Sequence, residues 1–217
     1  MTRLAVFDCD GTLVDGQGAV CAAMEAAFAS IGAPPPERRS IRRIVGLNLP
    51  QAVARLAPDR PPGDRVRIEA AYRDAYRQAR ESGSVDEPLF DGIAALLDRL
   101  RDKGWLLGIA TGKSDRGLNA CLAAHGLAGH FVTLQTADRH PSKPDPAMLR
   151  AAMQEAGAVP GGTVMVGDTV FDIATGRAAG VRAFGVAWGY HDSHELLASG
   201  AEGVAMDAAG LERLLNG

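Results

Sequence analysis

Asp8 and Asp10 stand one residue apart at the end of the apolar run Leu4 to Phe7, within L-A-V-F-D-C-D-G-T-L-V-D over residues 4–15. Alternate side chains of a strand share a face, so the two carboxylates crowd one spot while Cys9 points the other way. That crowding is costly unless a cation lies between the groups or one of them keeps a proton. A hard, oxygen-seeking ion such as Mg²⁺ relieves it. Gly11 and Thr12 follow at once and offer backbone amides to an anion.

Three further stretches bear groups of the same kind. Thr111-Gly112-Lys113-Ser114 follows the apolar run Leu106 to Ala110. A hydroxyl, a glycine that permits close backbone approach and a helix N-terminus capped by Ser114 or Asp115 suit phosphoryl oxygens. In Ser142-Lys143-Pro144-Asp145-Pro146, Asp145 is placed to cap a helix with Pro146 in its first turn. Lys143 there opposes the helix dipole, which suggests that lysine and dipole both point at something negative. In V-G-D-T-V-F-D, Gly167 precedes Asp168, a candidate cap. Asp172 lies a turn further along the same helical face, where the two acids can share a metal. Together Asp8, Asp10, Thr111, Lys143, Asp168 and Asp172 offer a nucleophile, a proton carrier, a phosphoryl hydrogen bond, a positive charge and metal ligands.

Several other chemistries are excluded or disfavoured by position. The G-K-S of residues 112–114 is not a P-loop, because Leu107 stands where that motif needs glycine. A cysteine phosphatase needs arginine six residues after its cysteine, and Asp15, Ala27 and Leu127 occupy those places. His191, Asp192, His194 and Glu195 read as a polar loop, since H-x-x-H lacks a third placed ligand.

These residues must be positioned by the elements around them. Five apolar or β-rich runs recur: Leu4 to Phe7, Leu106 to Ala110, Phe131 to Gln135, Val164 to Val166 and Ala183 to Ala187. Helical faces lie between them, with Leu118, Cys121, Leu122 and His125 on one and Met148, Leu149, Ala152 and Met153 on another. The alternation predicts an α/β fold with a parallel sheet covered by helices on both faces, binding its ligand beyond the carboxyl ends of the strands. Residues 16–87 break the rhythm. They carry two helical patterns, Val20, Met24, Phe28, Ile31 and Tyr72, Ala75, Tyr76, Ala79, punctuated by prolines. The expected organisation is a core of residues 1–15 and 88–217 with an inserted helical cap at 16–87. The cap would be hinged at Asp15 to Gly18 and Gly83 to Pro88, with Asp15 stabilising the hinge.

The 217 residues, 47% hydrophobic, are ample for a sizeable core, and a net charge of −3 supplies no field for nucleic acid or an anionic membrane. Three widely spaced cysteines without a CxxC pair, and no signal-type or membrane-spanning segment, lead to the expectation of a cytoplasmic protein.

The ordered set D-x-D-G-T, T-G, K-P and G-D-x-x-x-D, each at a strand end, resembles the haloacid dehalogenase superfamily and most closely its phosphatases. The motifs span residues 4–187. The resemblance implies a Rossmann-like core with a C1-type cap and an Mg²⁺-dependent phosphate monoester hydrolase acting on a small phosphorylated metabolite. By it Asp8 is the nucleophile forming an aspartyl-phosphate, and Asp10 the general acid and base. Thr111, with Gly11 and Gly112, binds the phosphoryl group, and Lys143 neutralises charge. Mg²⁺ is held by Asp8, the Asp10 carbonyl and Asp168, with Asp172 a further acidic metal-site residue.

Within the family, Asp10 separates the chain from the dehalogenases. The phosphonatases use a cap lysine, whereas the lysines here, Lys103, Lys113 and Lys143, all lie outside residues 16–87. Sugar phosphomutases of the beta-phosphoglucomutase type share the nucleophile, acid and cap and stand as the alternative. A non-catalytic binding module is disfavoured by the complete set of groups. The chain most resembles phosphoglycolate phosphatases, and the cap stretch R-R-I-V-G-L-N resembles their substrate-facing segment. Arg43 and Asn48 are thereby candidates for substrate contact, Arg43 to a carboxylate or second phosphate. The alternative for Arg38, Arg39, Arg42 and Arg43 is a solvated helix face.

Overall fold

The computed structural model describes residues 2–217. Six strands form one sheet: β1 (Arg3–Phe7), β2 (Trp105–Thr111), β3 (Thr133–Thr136), β4 (Thr163–Gly167), β5 (Arg182–Val186) and β6 (Gly203–Ala205). Their order is β3-β2-β1-β4-β5-β6, and every pairing is parallel. β1 is central, with Phe7 opposite Ile109 of β2 and Val166 of β4. A strand so placed is shielded on both faces, which is why Leu4 to Phe7 are apolar without interruption.

The residues of β1 divide between two cores. Ala5, Phe7 and Cys9 pack with Leu96, Leu97, Leu118, Leu122 and Leu211, from helices α5 (Ile93–Asp102), α6 (Asp115–Ala124) and α10 (Ala208–Asn216). Leu4 and Val6 pack with Met148, Leu149, Ile173 and Leu196, from α7 (Ala147–Ala156), α8 (Val170–Ala179) and α9 (Ser193–Ala198). Period-2 alternation then carries Asp8 along the Leu4 and Val6 side while Cys9 enters the opposite core. The strand order reverses beside β1, so the crevice at its carboxyl end is the place where such sheets bind ligands.

Two expectations need adjustment. β3 begins at Thr133 rather than Phe131, and β6 was not anticipated. Its three residues, Gly-Val-Ala, are too few to show alternation, and it is recruited as an edge by pairing with β5.

Between Gln17 and Glu81 the chain forms α1 (Gln17–Ser30), α2 (Arg38–Arg42), α3 (Leu49–Leu56) and α4 (Pro62–Glu81). Val20, Met24 and Phe28 of α1 join Ile41, Val53 and Ile68 in a hydrophobic cluster of their own. Outgoing and returning segments run side by side: Asp15 N–H donates to the Pro88 carbonyl (2.9 Å), and Phe90 N–H to that of Leu13 (3.0 Å). The Asp15 carboxylate accepts from the Gln17 backbone and side-chain amides, tying down the start of α1. Among the described residues no helix is long and apolar enough to cross a membrane.

Candidate active site

Asp8 is fully buried; its Oδ2 has no hydrogen-bond partner, and its Oδ1 has only the Lys143 ammonium beside it. Its backbone N–H donates to the Val166 carbonyl, fixing the residue between β1 and β4. Burial, opposed by Lys143 and reinforced by Asp172 and Asp10, pushes its carboxyl up to about 7. A carboxylate with one oxygen left without a donor in a dry site is costly unless something charged is to meet it there.

Lys143, also fully buried, lies 3.0 Å from Asp8 Oδ1 and donates to Asp172 Oδ1 at 2.6 Å. Burial alone would discharge the ammonium, but Asp172 and Asp8 hold its pKa above the ordinary lysine value. The lysine approaches from the segment before α7, whose first turn is steadied by Asp145 Oδ1 accepting from the Ala147 N–H (2.9 Å). Pro146 is the residue that precedes α7 rather than one inside its first turn.

The acids after β4 differ from expectation in their tasks. Thr169, not Asp168, caps α8: its hydroxyl and N–H are bound by Asp172 Oδ2 in a capping box (2.7 and 3.0 Å). Both Asp172 oxygens are thus engaged, one with Thr169 and one with Lys143. Asp168 accepts from the Thr12 hydroxyl and the Tyr190 N–H, both at 2.9 Å. Burial, together with Asp172 and Asp8, raises its pKa well above that of a free carboxyl. One oxygen from each of Asp8, Asp168 and Asp172 lies within 4.8 Å of the others. The Asp10 carboxyl is not in this trio, so a part for Asp10 at a metal rests on its backbone carbonyl.

Glycines make the room. Gly11 has φ +85°, and a Cβ there would meet Asp168 Oδ2 at 2.2 Å. The lack of a side chain at Gly11, a candidate for substrate contact, leaves room for Asp168. A Cβ on Gly112 would meet the Leu47 carbonyl oxygen at 2.5 Å, so the close approach that it permits is that of the cap loop. Gly112 and Thr111 both line the cavity above Asp8, and the Thr111 Oγ1 accepts from the Lys113 N–H, leaving its own O–H to donate.

Asp10 faces a network that went unnoticed in the sequence. Lys113 Nζ sits 2.9 Å from Asp10 Oδ1 and 2.6 Å from Glu87 Oε1. Glu87, in the segment returning from the helical insertion, also accepts from the Tyr76 hydroxyl (2.6 Å) and Arg80 (2.7 Å) of α4. Burial raises the Asp10 pKa, Lys113 opposes the rise and Glu87 adds to it. The sequence signal for Lys113 is that it is one of only three lysines and lies two residues after Thr111 in the stretch suited to phosphoryl oxygens. Glu87, far from both Asp10 and Lys113 in the sequence, left none.

Burial pushes Glu87 up, but Lys113, Tyr76 and Arg80 outweigh it and hold the carboxyl at about 2 against an ordinary 4.5. A depressed carboxyl contributes stability that is fully present above pH 4.5 and is lost as pH falls toward 2. Glu87→Gln is therefore expected to cost about 3 kcal/mol at pH 7, the scale for breaking one partner out of a buried ion pair. The deficit relative to wild type is expected to shrink at pH 3, and urea titrations at the two pH values check it.

The two candidates of the cap stretch are placed differently from one another. Arg43 forms a bidentate pair with Glu195, Nη1 to Oε2 at 2.5 Å and Nη2 to Oε1 at 2.8 Å, and does not line the cavity. It docks α2 against α9 instead of facing substrate. Arg38 pairs with Glu25 on the exposed face. Asn48 does line the cavity, but its side chain caps α3 by accepting from the Gln51 N–H, and its own N–H donates to Ser142 Oγ (2.8 Å). His191, Asp192 and Glu195 are structural. The His191 Nδ1 accepts from the Val170 N–H, and Asp192 with Glu195 forms the capping box of α9.

The profile of the haloacid dehalogenase-like hydrolases matches residues 5–186, from β1 through β5. The chain belongs to that family. It is 36% identical over 203 residues to "Probable phosphatase IndB" of Dickeya dadantii, covering 92% of this chain and 87% of that protein. It is 32% identical over 199 residues to the phosphoglycolate phosphatase of Pseudomonas putida, covering 88% and 71%. In fold it is similar to the crystal structure of a predicted phosphatase from Clostridium acetobutylicum, with a TM-score of 0.89, 23% identity and coverage of 100% and 99%. This family member thus keeps its acids, lysine and threonine at adjoining strand ends of the shared fold.

Proposed function

We propose that this protein is a phosphate monoester hydrolase that uses Mg²⁺, forms an aspartyl-phosphate on Asp8 and acts on a small phosphorylated metabolite. The observation that carries the reading is the buried Asp8 carboxylate, which has Lys143 as its one donor and stands among the acids after β4. Relatives named phosphatase and phosphoglycolate phosphatase support it. The buried free cysteines accord with a reducing, cytoplasmic setting. The functional division is a core of residues 1–15 and 88–217 under a cap of 16–87.

The donor set fits a hard divalent ion: oxygens only, anionic, close together and with Asp8 Oδ2 lacking any other partner. Asp8 and Asp168, with the Asp10 carbonyl, would hold it, and Asp172 would be a further acidic residue of the site that also holds Lys143. When bound, Mg²⁺ offsets the charge of the phosphoryl group and of Asp8 as they approach.

In the first step an Asp8 carboxylate oxygen attacks phosphorus, the new O–P bond forms and the ester P–O bond breaks. Asp10 gives its proton to the leaving oxygen. Thr111 donates to a phosphoryl oxygen, and Lys143 balances negative charge from below. Asp10, now a carboxylate, takes a proton from water as that water attacks phosphorus, which releases inorganic phosphate and restores Asp8. Lys113 and Glu87 hold Asp10 at the required place throughout.

Phosphate release from a panel of esters is expected to require Mg²⁺, to vanish in EDTA and to return on adding the ion. Turnover that persists in EDTA overturns the metal-dependent reading, and an isomer in place of free phosphate identifies a mutase. A stability readout is available as well. Raised carboxyl pKa values mean that the folded chain keeps protons that the unfolded chain has already lost, so metal-free stability falls as pH rises from 3.8 to about 7. Mg²⁺ is expected to raise Tm, and by more at pH 7.5 than at pH 5, in paired thermal scans.

A further inference from the structure

We infer that the alcohol released from the phosphate ester is small, uncharged and largely apolar; the inference rests on the phosphatase reading above and narrows its substrate class. The cavity over Asp8 and Asp10 measures about 280 Å³, near the lower end of small-molecule sites. Once a phosphoryl group occupies the floor at Asp8 and Thr111, only a compact leaving group fits above it.

The rest of the lining is mainly apolar. It includes Val20 and Met24 of α1, Val45 and Leu47 of the loop before α3, and the Tyr72 ring of α4. An alkyl or aromatic group placed there gains apolar burial and a ring contact.

A leaving group with its own carboxylate meets no ready partner. Two cationic side chains line the cavity, Lys113 and Arg73. Lys113 is already shared between Asp10 at 2.9 Å and Glu87 at 2.6 Å. The Arg73 side chain is 61% exposed and lies 3.6 Å from Glu69, so it sits in water at the mouth rather than inside. Arg43, the residue whose type best suits a carboxylate, is paired with Glu195 outside the cavity. Asp138 at the rim adds negative charge. A buried carboxylate without a dedicated cation is heavily disfavoured. A neutral group of the same size carries no such burden.

The test compares Mg²⁺-dependent phosphate release from 2-phosphoglycolate, its neutral amide counterpart 2-amino-2-oxoethyl phosphate, and 2-methylpropyl phosphate. The expected kcat/KM is about tenfold or more higher for the 2-methylpropyl ester than for phosphoglycolate, with the amide between them. Equal or better turnover of phosphoglycolate overturns the inference and leaves the phosphatase reading intact. Absence of release from all three esters overturns the phosphatase reading itself. Arg43→Ala supplies a second measurement through the ratio of the two kcat/KM values, which cancels any general loosening of the cap. The ratio is expected to stay within about twofold of wild type. A selective fall on phosphoglycolate assigns Arg43 to the substrate carboxylate and overturns the inference.

Discussion

Asp8→Asn is expected to lower phosphate release by about 10⁴-fold or more while the metal-free protein remains at least as stable as wild type. The amide is nearly the same shape but is a poor nucleophile, and the O–P bond to the chain cannot form with useful frequency. The stability half of the outcome follows from charge. Asp8 is fully buried with the Lys143 ammonium, 3.0 Å away, as its one donor, and its carboxyl is pushed up to about 7 by burial and by Asp172 and Asp10 against the pull of Lys143. At pH 7.5 the folded wild type carries a charge there that the unfolded chain carries more comfortably, so removing it relieves the native state. Lys143 keeps its 2.6 Å bond to Asp172. The Mg²⁺-induced rise in Tm is expected to diminish in the same variant, since one anionic ligand is gone. Phosphate assays and thermal scans with and without Mg²⁺ check all three, and surviving turnover removes Asp8 from the role of nucleophile.

Lys143→Met is expected to be severe in both activity and stability. The side chain is among the largest fully buried ones, and its ammonium is the cation in contact with both Asp8 and Asp172. Methionine fills much of the same volume, so the chief loss is charge. Three buried carboxyls with oxygens within 4.8 Å of one another would then lack their internal counter-charge. Breaking a buried pair in this way costs about 3–5 kcal/mol. Loss of a preorganised positive charge beside the phosphoryl group is expected to lower kcat by roughly 10²–10³-fold. The sign with pH is definite: without Lys143 the acids become harder to ionise, so the deficit relative to wild type grows as pH rises from 5 to 7.5. Urea titrations at those two values measure it, and an equal deficit at both excludes the electrostatic cause.

The opposed effects of these two variants on stability express how the site is built. Asp8 is a charge held ready at some cost to folding, whereas Lys143 makes that cost bearable. Asp172 belongs with Lys143 in this respect, because its two oxygens hold the lysine and the start of α8. One of its oxygens also lies within 4.8 Å of oxygens of Asp8 and Asp168, so it stays among the acids that could serve a metal.

What was legible in the chain follows a physical pattern. The central strand and the two faces of β1 could be read because a buried parallel strand must be apolar throughout, and because period-2 alternation sends Asp8 and Cys9 to opposite sides. The catalytic candidates could be read because strand ends in such a sheet converge, so residues far apart in sequence come together by topology alone. β6 could not, since three residues at a sheet edge carry no period.

Which charge meets which is another matter, and here local sequence is silent. Arg43 has the right type for a substrate carboxylate, yet Glu195, 152 residues away in the chain, takes it. Lys113 looked like the tail of a nucleotide loop, yet the fold sets it between Asp10 and Glu87. The motifs alone determined the sheet, the strand-end cluster and the kinds of group available for phosphoryl chemistry, because those depend on periodicity and residue type. Only the tertiary structure decided which cations are already spoken for and which acid keeps an unpartnered oxygen, because ion pairing depends on distances of a few ångströms between segments that the sequence does not bring side by side.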